Sequence, residues 1–247
     1  MITEQFVIGI DDTDTPEGGG TGRLARDLAA HAEQAGWGES LGVTRHELAR
    51  TEKVACTAQN FAYALVLATD RSILDLEDDV VDFLREHAER GADPGLAIMS
   101  RHSDMPHVLA FGRRAKSEVM RLEWAQTFSV EANVTLRSLG NERRGAIGAL
   151  AAAGLRGGGN DGRFIDLRGI REVEGRITAG QLLERTRIDQ VLDERDEPLD
   201  RDDLIDTQDW VRPRLEGGKA IYRAKQAPQD RRLWLPVDRR PAEDVDG

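Results

Sequence analysis

The sequence has few of the features that mark secreted, membrane or zinc-binding proteins. It has one cysteine, Cys56, which excludes an internal disulfide and a multi-cysteine zinc site. No apolar run reaches the roughly 18 residues that a transmembrane helix needs. The first dozen residues also lack the basic region of a secretory signal. We therefore expect a cytoplasmic protein with no membrane partner.

Basic residues are also scarce for a protein that binds nucleic acid over its whole surface. The net charge is −11, with 34 Lys and Arg against 45 Asp and Glu, and neutralising phosphates needs cations. The exception is residues 210–240, which are basic and include tryptophan and tyrosine. Such a segment is suited to single-stranded RNA. The alternative is a final hairpin that turns at Gly217 and Gly218 and pairs its cations with the acidic residues 189–209.

The first loop, at residues 9–22, carries neither of two common nucleotide-binding signatures. It is not GxxxxGK[ST] and it is not GxGxxG of the dinucleotide type, so we do not expect a P-loop NTPase or a dinucleotide-dependent dehydrogenase. The chain does have a strand, a loop and a helix in series near its start. Residues 6–10 are an apolar run that ends at two aspartates, which indicates a buried strand. Residues 24–32 favour a helix that ends at Gly36.

The loop between that strand and that helix carries the candidate chemistry. Three aspartates within four positions repel one another unless a cation lies among them, and Mg²⁺ prefers hard oxygen ligands shared with substrate phosphates. Consecutive glycines let a ligand approach the backbone, and the helix start offers N–H groups to an anion. The predicted metal ligands are Asp11, Asp12 and Asp14, and the predicted phosphate-binding glycines are Gly18, Gly19, Gly20 and Gly22. The alternative is an Asx-rich turn that only caps the helix.

The remaining pattern predicts an α/β or α+β protein. Further strands are expected at residues 61–68, 95–99, 129–137 and 164–167. Further helices are expected at residues 73–88, 146–153 and 178–185, the last with Thr178 as its N-cap. We expect domains at residues 1–126 and 127–235, and a loose tail at residues 236–247.

Two segments resemble the archaeal tRNA agmatidine synthetases. IGIDDTDTPEGGGTGRLA resembles the opening of that family's kinase-like domain, and LGNERRGAIGALAAAG, at residues 139–154, resembles a segment of its ferredoxin-like domain. Asn60 and the turn Asp93-Pro94-Gly95 are weaker matches. The resemblance spans about residues 5–195. It implies an N-terminal kinase-like α/β domain followed by a ferredoxin-like α+β domain.

The resemblance also implies an activity. The family uses ATP to activate a tRNA cytidine by phosphorylation and then displaces the phosphate with agmatine. By position, the three aspartates would hold Mg²⁺ and the phosphates of ATP, and Thr21 would be the loop threonine that receives phosphate. The further candidates for nucleotide binding are Asn60, Asn141, Arg143 and Arg144. The two arginines lie where a helix starts, which suits an anion; solvated surface arginines are the alternative.

The sequence departs from the family pattern in three ways. The second loop threonine is replaced by Gly22. Residues 55–60 lack the cations of a KTRGN-like segment, with Lys53 the nearest. The family's C-terminal barrel and zinc ribbon have no counterpart here, so we expect a shortened member.

Our leading hypothesis is an Mg²⁺-dependent, ATP-using phosphotransferase or ligase that acts on a nucleotide, an RNA or a small molecule. The alternatives are a noncatalytic module that binds a nucleotide or RNA, and a metal-dependent phosphohydrolase. A homo-oligomer stays open. His46, His102 and His107 are weaker acid–base candidates, and Cys56 is better explained as a small core residue than as a nucleophile.

Overall fold

The structure is a computed structural model that describes residues 3–15, 18–50 and 60–238. These ranges form an α+β fold, as the sequence predicts. In chain order the elements are β1 (Glu4–Asp11), α1 (Thr21–Gln34), β2 (Glu39–Glu47), β3 (Phe61–Thr69), α2 (Ile73–His87), β4 (Gly95–Met99), α3 (Met105–Ala115), α4 (Leu122–Glu131), β5 (Thr135–Ser138), α5 (Gly145–Gly157), β6 (Arg163–Asp166), β7 (Arg176–Thr178), α6 (Ala179–Arg185), β8 (Gln190–Leu192), β9 (Leu204–Asp206), β10 (Arg214–Glu216), β11 (Lys219–Ala227) and β12 (Asp230–Pro236).

The strands join in the order β5-β4-β1-β3-β2-β6-β10-β11-β12-β9-β7, with β8 beside β11. The neighbours of β1 run antiparallel to it. Because side chains alternate along a strand, β1 supplies two cores. Ile8 and Ile10 face α1 and α2, whereas Val7 packs with α3, α4 and α5. The first half of the chain is thus a sheet with helices on both faces.

Helix α5 lies closer to this sheet than ordinary side chains permit. A Cβ atom added at Gly9 of β1 would lie 2.0 Å from the carbonyl oxygen of Ala149. A Cβ at Gly95 of β4 would lie 2.0 Å from the carbonyl carbon of Gly145. The glycines on β1 and β4 therefore allow the helix backbone to touch the strand backbone.

The domain boundary expected at residue 127 falls within α4, and strands from both sides of it pair in one continuous sheet. Residues after the boundary form α5, which packs on β1, β3 and β4, and β6, which pairs with β2. A third apolar core is built from residues between Phe164 and Trp234. The change from one core to the next thus comes near residue 160, later than the sequence suggests.

Two local expectations are wrong. A strand was expected at residues 129–137, but Ser129 lies in α4 and the strand is Thr135–Ser138. The alternation of apolar residues there misleads, because Val130 is 81% exposed. The tail was expected from residue 236, but Pro236 ends β12 and Asp238 forms ion pairs with Arg163 and Arg214; residues 239–247 lie outside the described residues.

Several sequence signals are confirmed. Thr178 caps α6 and forms a capping box with Gln181, and Gly217 and Gly218 connect β10 to β11 in an antiparallel hairpin. Among the described residues, none of the helices combines the length and the apolar character needed to cross a bilayer.

Candidate functional site

Asp11 ends β1 and points toward α5. A Cβ atom added at Gly148 of α5 would lie 1.7 Å from Asp11 Oδ2, so the carboxylate occupies the space that a side chain on the helix would take. Burial raises the pKa of Asp11 well above its ordinary value, and the charges of Asp12 and Asp14 raise it further. A buried carboxylate in this setting is destabilising unless a cation or a proton compensates it.

Asp12 continues the chain in a strained backbone conformation. Its φ is +54°, in the left-handed region that few non-glycine residues adopt. Its carbonyl oxygen accepts a hydrogen bond from Asp93 N, 3.0 Å away. Burial and the charge of Asp93 raise the pKa of Asp12 to about 6, although Arg144 lowers it. Two neighbouring carboxyl groups with raised pKa values are typical of functional sites.

Asp93 joins this strand end to the start of α5. Its carboxylate accepts hydrogen bonds from the backbone N–H groups of Glu142, at 3.0 Å, and of Arg144. A Cβ atom at Gly140 would lie 2.0 Å from Asp93 Oδ1. The turn at residues 93–95 and the segment at residues 139–148 therefore interlock beside Asp11 and Asp12. Three motifs that are far apart in sequence meet at one place.

Thr21 and Asp14 hold the other side of the loop. Thr21 Oγ1 accepts a hydrogen bond from Thr13 N at 3.2 Å and donates one to Asp14 Oδ1 at 2.6 Å. Thr21 is buried, and Thr13 Oγ1 is buried without a hydrogen-bond partner. In this structure Thr21 is a support of the loop, with its hydroxyl already engaged.

The helix start after the glycines is uncapped. Gly20 precedes α1 with φ +83°, and no side chain caps the backbone N–H groups of the first turn of the helix. The free N–H groups suit an anion. Gly18 and Gly19 are exposed, whereas Gly22 is buried within α1, so Gly22 does not face solvent as the other predicted glycines do.

The nucleotide-binding residues predicted outside the loop lie in two different places. Arg144 lies at the start of α5 and pairs with Glu142 at 2.6 Å, and Asn141 and Arg143 are exposed beside it. Asn60 instead donates a hydrogen bond from Nδ2 to the carbonyl oxygen of Ala49 at 2.7 Å. Its observed role is to fasten the ends of β2 and β3. Lys53 and Cys56 lie outside the described residues.

The three histidines have partners elsewhere. His46 is buried between Thr44 and Asp161, with Nδ1 2.9 Å from Asp161 Oδ1, and burial lowers its pKa. His102 accepts a hydrogen bond from Arg101. His107 stacks on Phe128 and lies 3.2 Å from Glu131. These contacts explain all three as structural residues.

Glu89 is a residue of the site that sequence reasoning missed. It accepts hydrogen bonds from Thr15 N at 2.9 Å, Thr15 Oγ1 at 2.7 Å and Gly19 N at 2.7 Å. The hydrogen bond from the Thr15 hydroxyl, followed by those from the backbone, lowers the pKa of Glu89. Nothing in the local sequence marks it, because the contact joins residues about seventy positions apart.

The variant Glu89→Gln is expected to loosen the glycine-rich loop. An amide presents an N–H group to a donor where the carboxylate presents an acceptor, so at least one of these hydrogen bonds is lost. Hydrogen exchange at the Thr15 and Gly19 amides should accelerate about tenfold. The control is Glu86→Gln, an exposed glutamate in the last turn of α2, three residues before Glu89. Equal exchange in the two variants would contradict the assigned role.

The three predicted metal ligands do not form one coordination site here. In the parts of the chain that the structure describes, no three side chains of His, Cys, Asp or Glu come together to hold a metal ion. Asp14 turns away to Thr21, which leaves Asp11 and Asp12 as the candidate pair of metal ligands. Their donor set of hard oxygens fits Mg²⁺, which commonly uses one or two carboxylates and takes its other ligands from phosphate and water.

A basic cleft lies at the same edge of the sheet as Asp11. It has a volume of about 490 Å³. Its cationic residues are Arg45, Arg50, Lys116, Arg163 and Arg214, and its acidic residues are Glu47, Asp161 and Glu216. In the strand register Tyr63 pairs with both Ile10 and Arg45, so β2 is two strands from β1, about 10 Å away.

Two aromatic residues of the C-terminal segment are buried, although one of them, Trp210, lines the cleft. Trp210 is 4% exposed and Tyr222 is 2% exposed, so neither offers a face to a nucleic-acid base. Arg223 pairs with Asp196 and Glu216, as the hairpin alternative predicts. Trp210 and Tyr222 are therefore not placed to stack on RNA bases, and the cations of the cleft are the groups available to RNA.

Comparison with known proteins agrees with these motifs. No family model matches the chain. The chain is 33% identical over 157 residues to a tRNA(Ile2) 2-agmatinylcytidine synthetase, TiaS, of Methanosarcina acetivorans, a match covering 60% of this chain and 35% of the relative. The chain is homologous to the tRNA agmatidine synthetases. An uncharacterized protein of Methanocaldococcus jannaschii is 28% identical over 157 residues, covering 62% of this chain and 50% of that protein.

Solved structures give the same result. A TiaS–tRNA(Ile2)–AMPCPP–agmatine complex matches with a TM-score of 0.54 at 25% identity, over 61% of this chain and 36% of the TiaS chain. A TiaS–tRNA(Ile2)–ATP complex also gives a TM-score of 0.54 at 24% identity, with the same coverage. The chain spans half or less of the length of these agmatidine synthetases and relatives, and the resemblance read from the two sequence motifs is confirmed.

Proposed function

We propose that this protein is an Mg²⁺-dependent enzyme that uses ATP to modify RNA by phosphoryl transfer or ligation. The observation that carries the proposal is the convergence of three motifs at the end of β1. The loop with Asp11 and Asp12, the turn at Asp93 and the start of α5 are held together by backbone contacts. Homology to TiaS, which is solved with ATP and tRNA(Ile2), supports ATP and RNA as ligands.

In this proposal Asp11 and Asp12 hold Mg²⁺, and the exposed glycines and the uncapped start of α1 hold phosphate. The metal, when bound, neutralises the phosphate charge that develops during phosphoryl transfer. Asp14 and Thr21 act by positioning the loop, and Glu89 fixes its far side. Arg144 supplies a cation beside Asp12 and lowers the pKa of that carboxyl group.

RNA is proposed to reach this site along the basic cleft. The cleft lining has five cations against three acids, and Asp238 pairs with two of these cations, so a net positive charge remains that favours a polyanion. The strand register places Arg45 of the cleft level with Ile10, at the end of the sheet where β1 ends. The acceptor nucleotide would thus lie between the cleft and Asp12.

The decisive assay is product analysis. The purified protein is incubated with ATP, Mg²⁺ and total tRNA, and AMP, ADP, phosphate and pyrophosphate are resolved. The expected result is that AMP and pyrophosphate, or ADP and phosphate, are released only when RNA is present. No turnover with any RNA pool would refute the proposal, whereas release of phosphate alone without RNA modification would indicate a phosphohydrolase.

RNA binding by the basic cleft can be tested with a matched pair of variants. Arg50→Glu in the cleft should weaken tRNA binding about tenfold at low salt. Arg85→Glu is the control, because both arginines are exposed and each pairs with an acid three residues away. Equal binding by the two variants would remove the cleft from the proposal.

A noncatalytic nucleotide-binding module is the second candidate. The observation in its favour is that Thr21, the loop threonine, is buried and hydrogen-bonded to Asp14. Tight ATP binding without any product would favour this candidate over the enzyme.

A further inference from the structure

A second cavity lies at the opposite end of α5 from Asp11. It has a volume of about 600 Å³ and is lined by Val7 and Val66 of the sheet, by Arg156 and Gly157 at the end of α5, and by Phe164. Helix α5 runs from Gly145 to Gly157, about 18 Å at 1.5 Å per residue. We call this cavity the α5 C-terminal pocket, and its lining residues do not include those of the Asp11 site.

Arg156 is the unusual residue of this pocket. Its Nε is buried and has no hydrogen-bond partner. One other nitrogen donates to the carbonyl oxygen of Leu41 at 3.2 Å, and the guanidinium lies 4.8 Å from the ring centroid of Phe164. Within the described ranges no carboxylate pairs with Arg156. Burial lowers its pKa to about 10, with no acidic neighbour to offset it.

The other charged residues of the pocket are satisfied. Arg187 forms an ion pair with Glu39. Asp189 Oδ2 accepts a hydrogen bond from Ala220 N at 2.7 Å. Arg156 is therefore the pocket's cation that lacks a counter-ion, and a buried unpaired cation is costly. An anion that enters the pocket would supply the missing acceptor.

A purely structural role explains Arg156 less completely. It lies in the last turn of α5, where the helix dipole favours a cation. That role accounts for the charge at this position, but it leaves Nε without an acceptor beside an open cavity. The remaining walls are mixed, with an apolar part formed by the side chains of Val7, Val66 and Phe164.

We propose that the α5 C-terminal pocket binds a small amphipathic anion, with its carboxylate or phosphate on Arg156 and its apolar body against the valines and Phe164. A guanidinium binds either group through paired N–H donors. The size of the cavity suits a small organic molecule. The proposal does not depend on the ATP chemistry at Asp11.

The experiment measures binding of three anions to the whole protein by calorimetry and thermal shift. Hexanoate carries a carboxylate on an apolar chain, phenyl phosphate carries a phosphate on an apolar ring, and inorganic phosphate lacks the apolar body. At equal ionic strength, hexanoate or phenyl phosphate should bind saturably at up to about 10 mM and raise Tm by about 2 °C. Inorganic phosphate should bind at least about tenfold more weakly than the tighter of the two.

The variant Arg156→Met should weaken this binding about tenfold or more without lowering the Tm of the free protein. Arg168→Met, an exposed arginine near the pocket in sequence, is the control and should bind as the wild type does. If Arg156→Met fails to fold, Arg156→Lys, which keeps the charge but loses the paired donors, takes its place. Binding by hexanoate alone identifies a carboxylate ligand, and binding by phenyl phosphate alone identifies a phosphate ligand.

Three outcomes would overturn the proposal. One is the absence of saturable binding by both amphipathic anions. Another is equal binding by wild type and both Arg156 variants. The third is inorganic phosphate binding as tightly as the amphipathic anions, since the apolar walls would then contribute nothing.

Discussion

Replacing Asp11 with Asn is expected to make the protein more stable and, at the same time, inactive as an ATP-using enzyme. The carboxylate packs against Gly148 of α5 without a cationic partner, so removing its charge removes an unfavourable burial. At pH 8 without divalent metal, the free energy of unfolding should rise by about 1–2 kcal/mol. ATP turnover should fall about a thousandfold, because metal and phosphate lose a ligand.

Urea denaturation and the product assay measure the two effects in one preparation. Asp78→Asn on α2 is the control, because Asp78 is exposed and its replacement should change neither quantity. A variant at Asp11 that loses stability, or that keeps full turnover, would show that the carboxylate serves packing and not ligand binding.

The raised pKa of Asp12 should also make the stability of the protein depend on pH. The pKa of Asp12 is raised to about 6 in the folded protein, above its value of about 4 in an unfolded chain. Between these values the folded state binds more protons than the unfolded state, so stability falls as pH rises toward 6. Asp12→Asn should flatten this part of the profile, and added Mg²⁺ should flatten it in the wild type if the aspartates hold the ion.

Replacing Gly9 with Ala is expected to destabilise the fold strongly. The new Cβ would lie 2.0 Å from the carbonyl oxygen of Ala149, a backbone atom that cannot move without shifting α5. We expect a loss of about 3 kcal/mol or more in the free energy of unfolding. Urea denaturation measures it directly.

Gly19→Ala is the matched control for Gly9→Ala. Its Cβ would meet nothing closer than 3.6 Å, from Arg23, so stability should change by less than about 0.5 kcal/mol. Equal stability of the two variants would mean that the backbone of α5 does not contact the backbone of β1 at Gly9.

The local parts of the site were predictable from sequence, and the long-range parts were not. The apolar run predicts the strand before Asp11, and the acidic cluster and the glycines predict the loop that leads into α1. The structure has the strand and the helix close to the expected bounds. The same holds for α2 and β4. These elements depend on residues near in sequence, which propensity and periodicity describe well.

The tertiary contacts of the site join residues far apart in sequence, and the periodicity of apolar residues does not predict such contacts. Glu89 reaches Thr15 and Gly19 across the fold, and nothing in the sequence around Glu89 distinguishes it from other surface glutamates. Helix α5 shows its small residues plainly, but its partner, the face of β1 with Gly9, became clear only from the structure. A domain boundary at residue 127 separates α5 from the strands on which it packs.

Helix α5 also has a mechanical consequence for the molecule. Its Gly148 touches Asp11, its Gly154 lies against the backbone of Val108, and its last turn carries Arg156. Because these contacts leave little clearance, a shift of α5 at one end would require the residues packed along it to shift as well. If a ligand at one end changes the affinity for a ligand at the other, reciprocal linkage requires the second ligand to change the affinity for the first by the same factor.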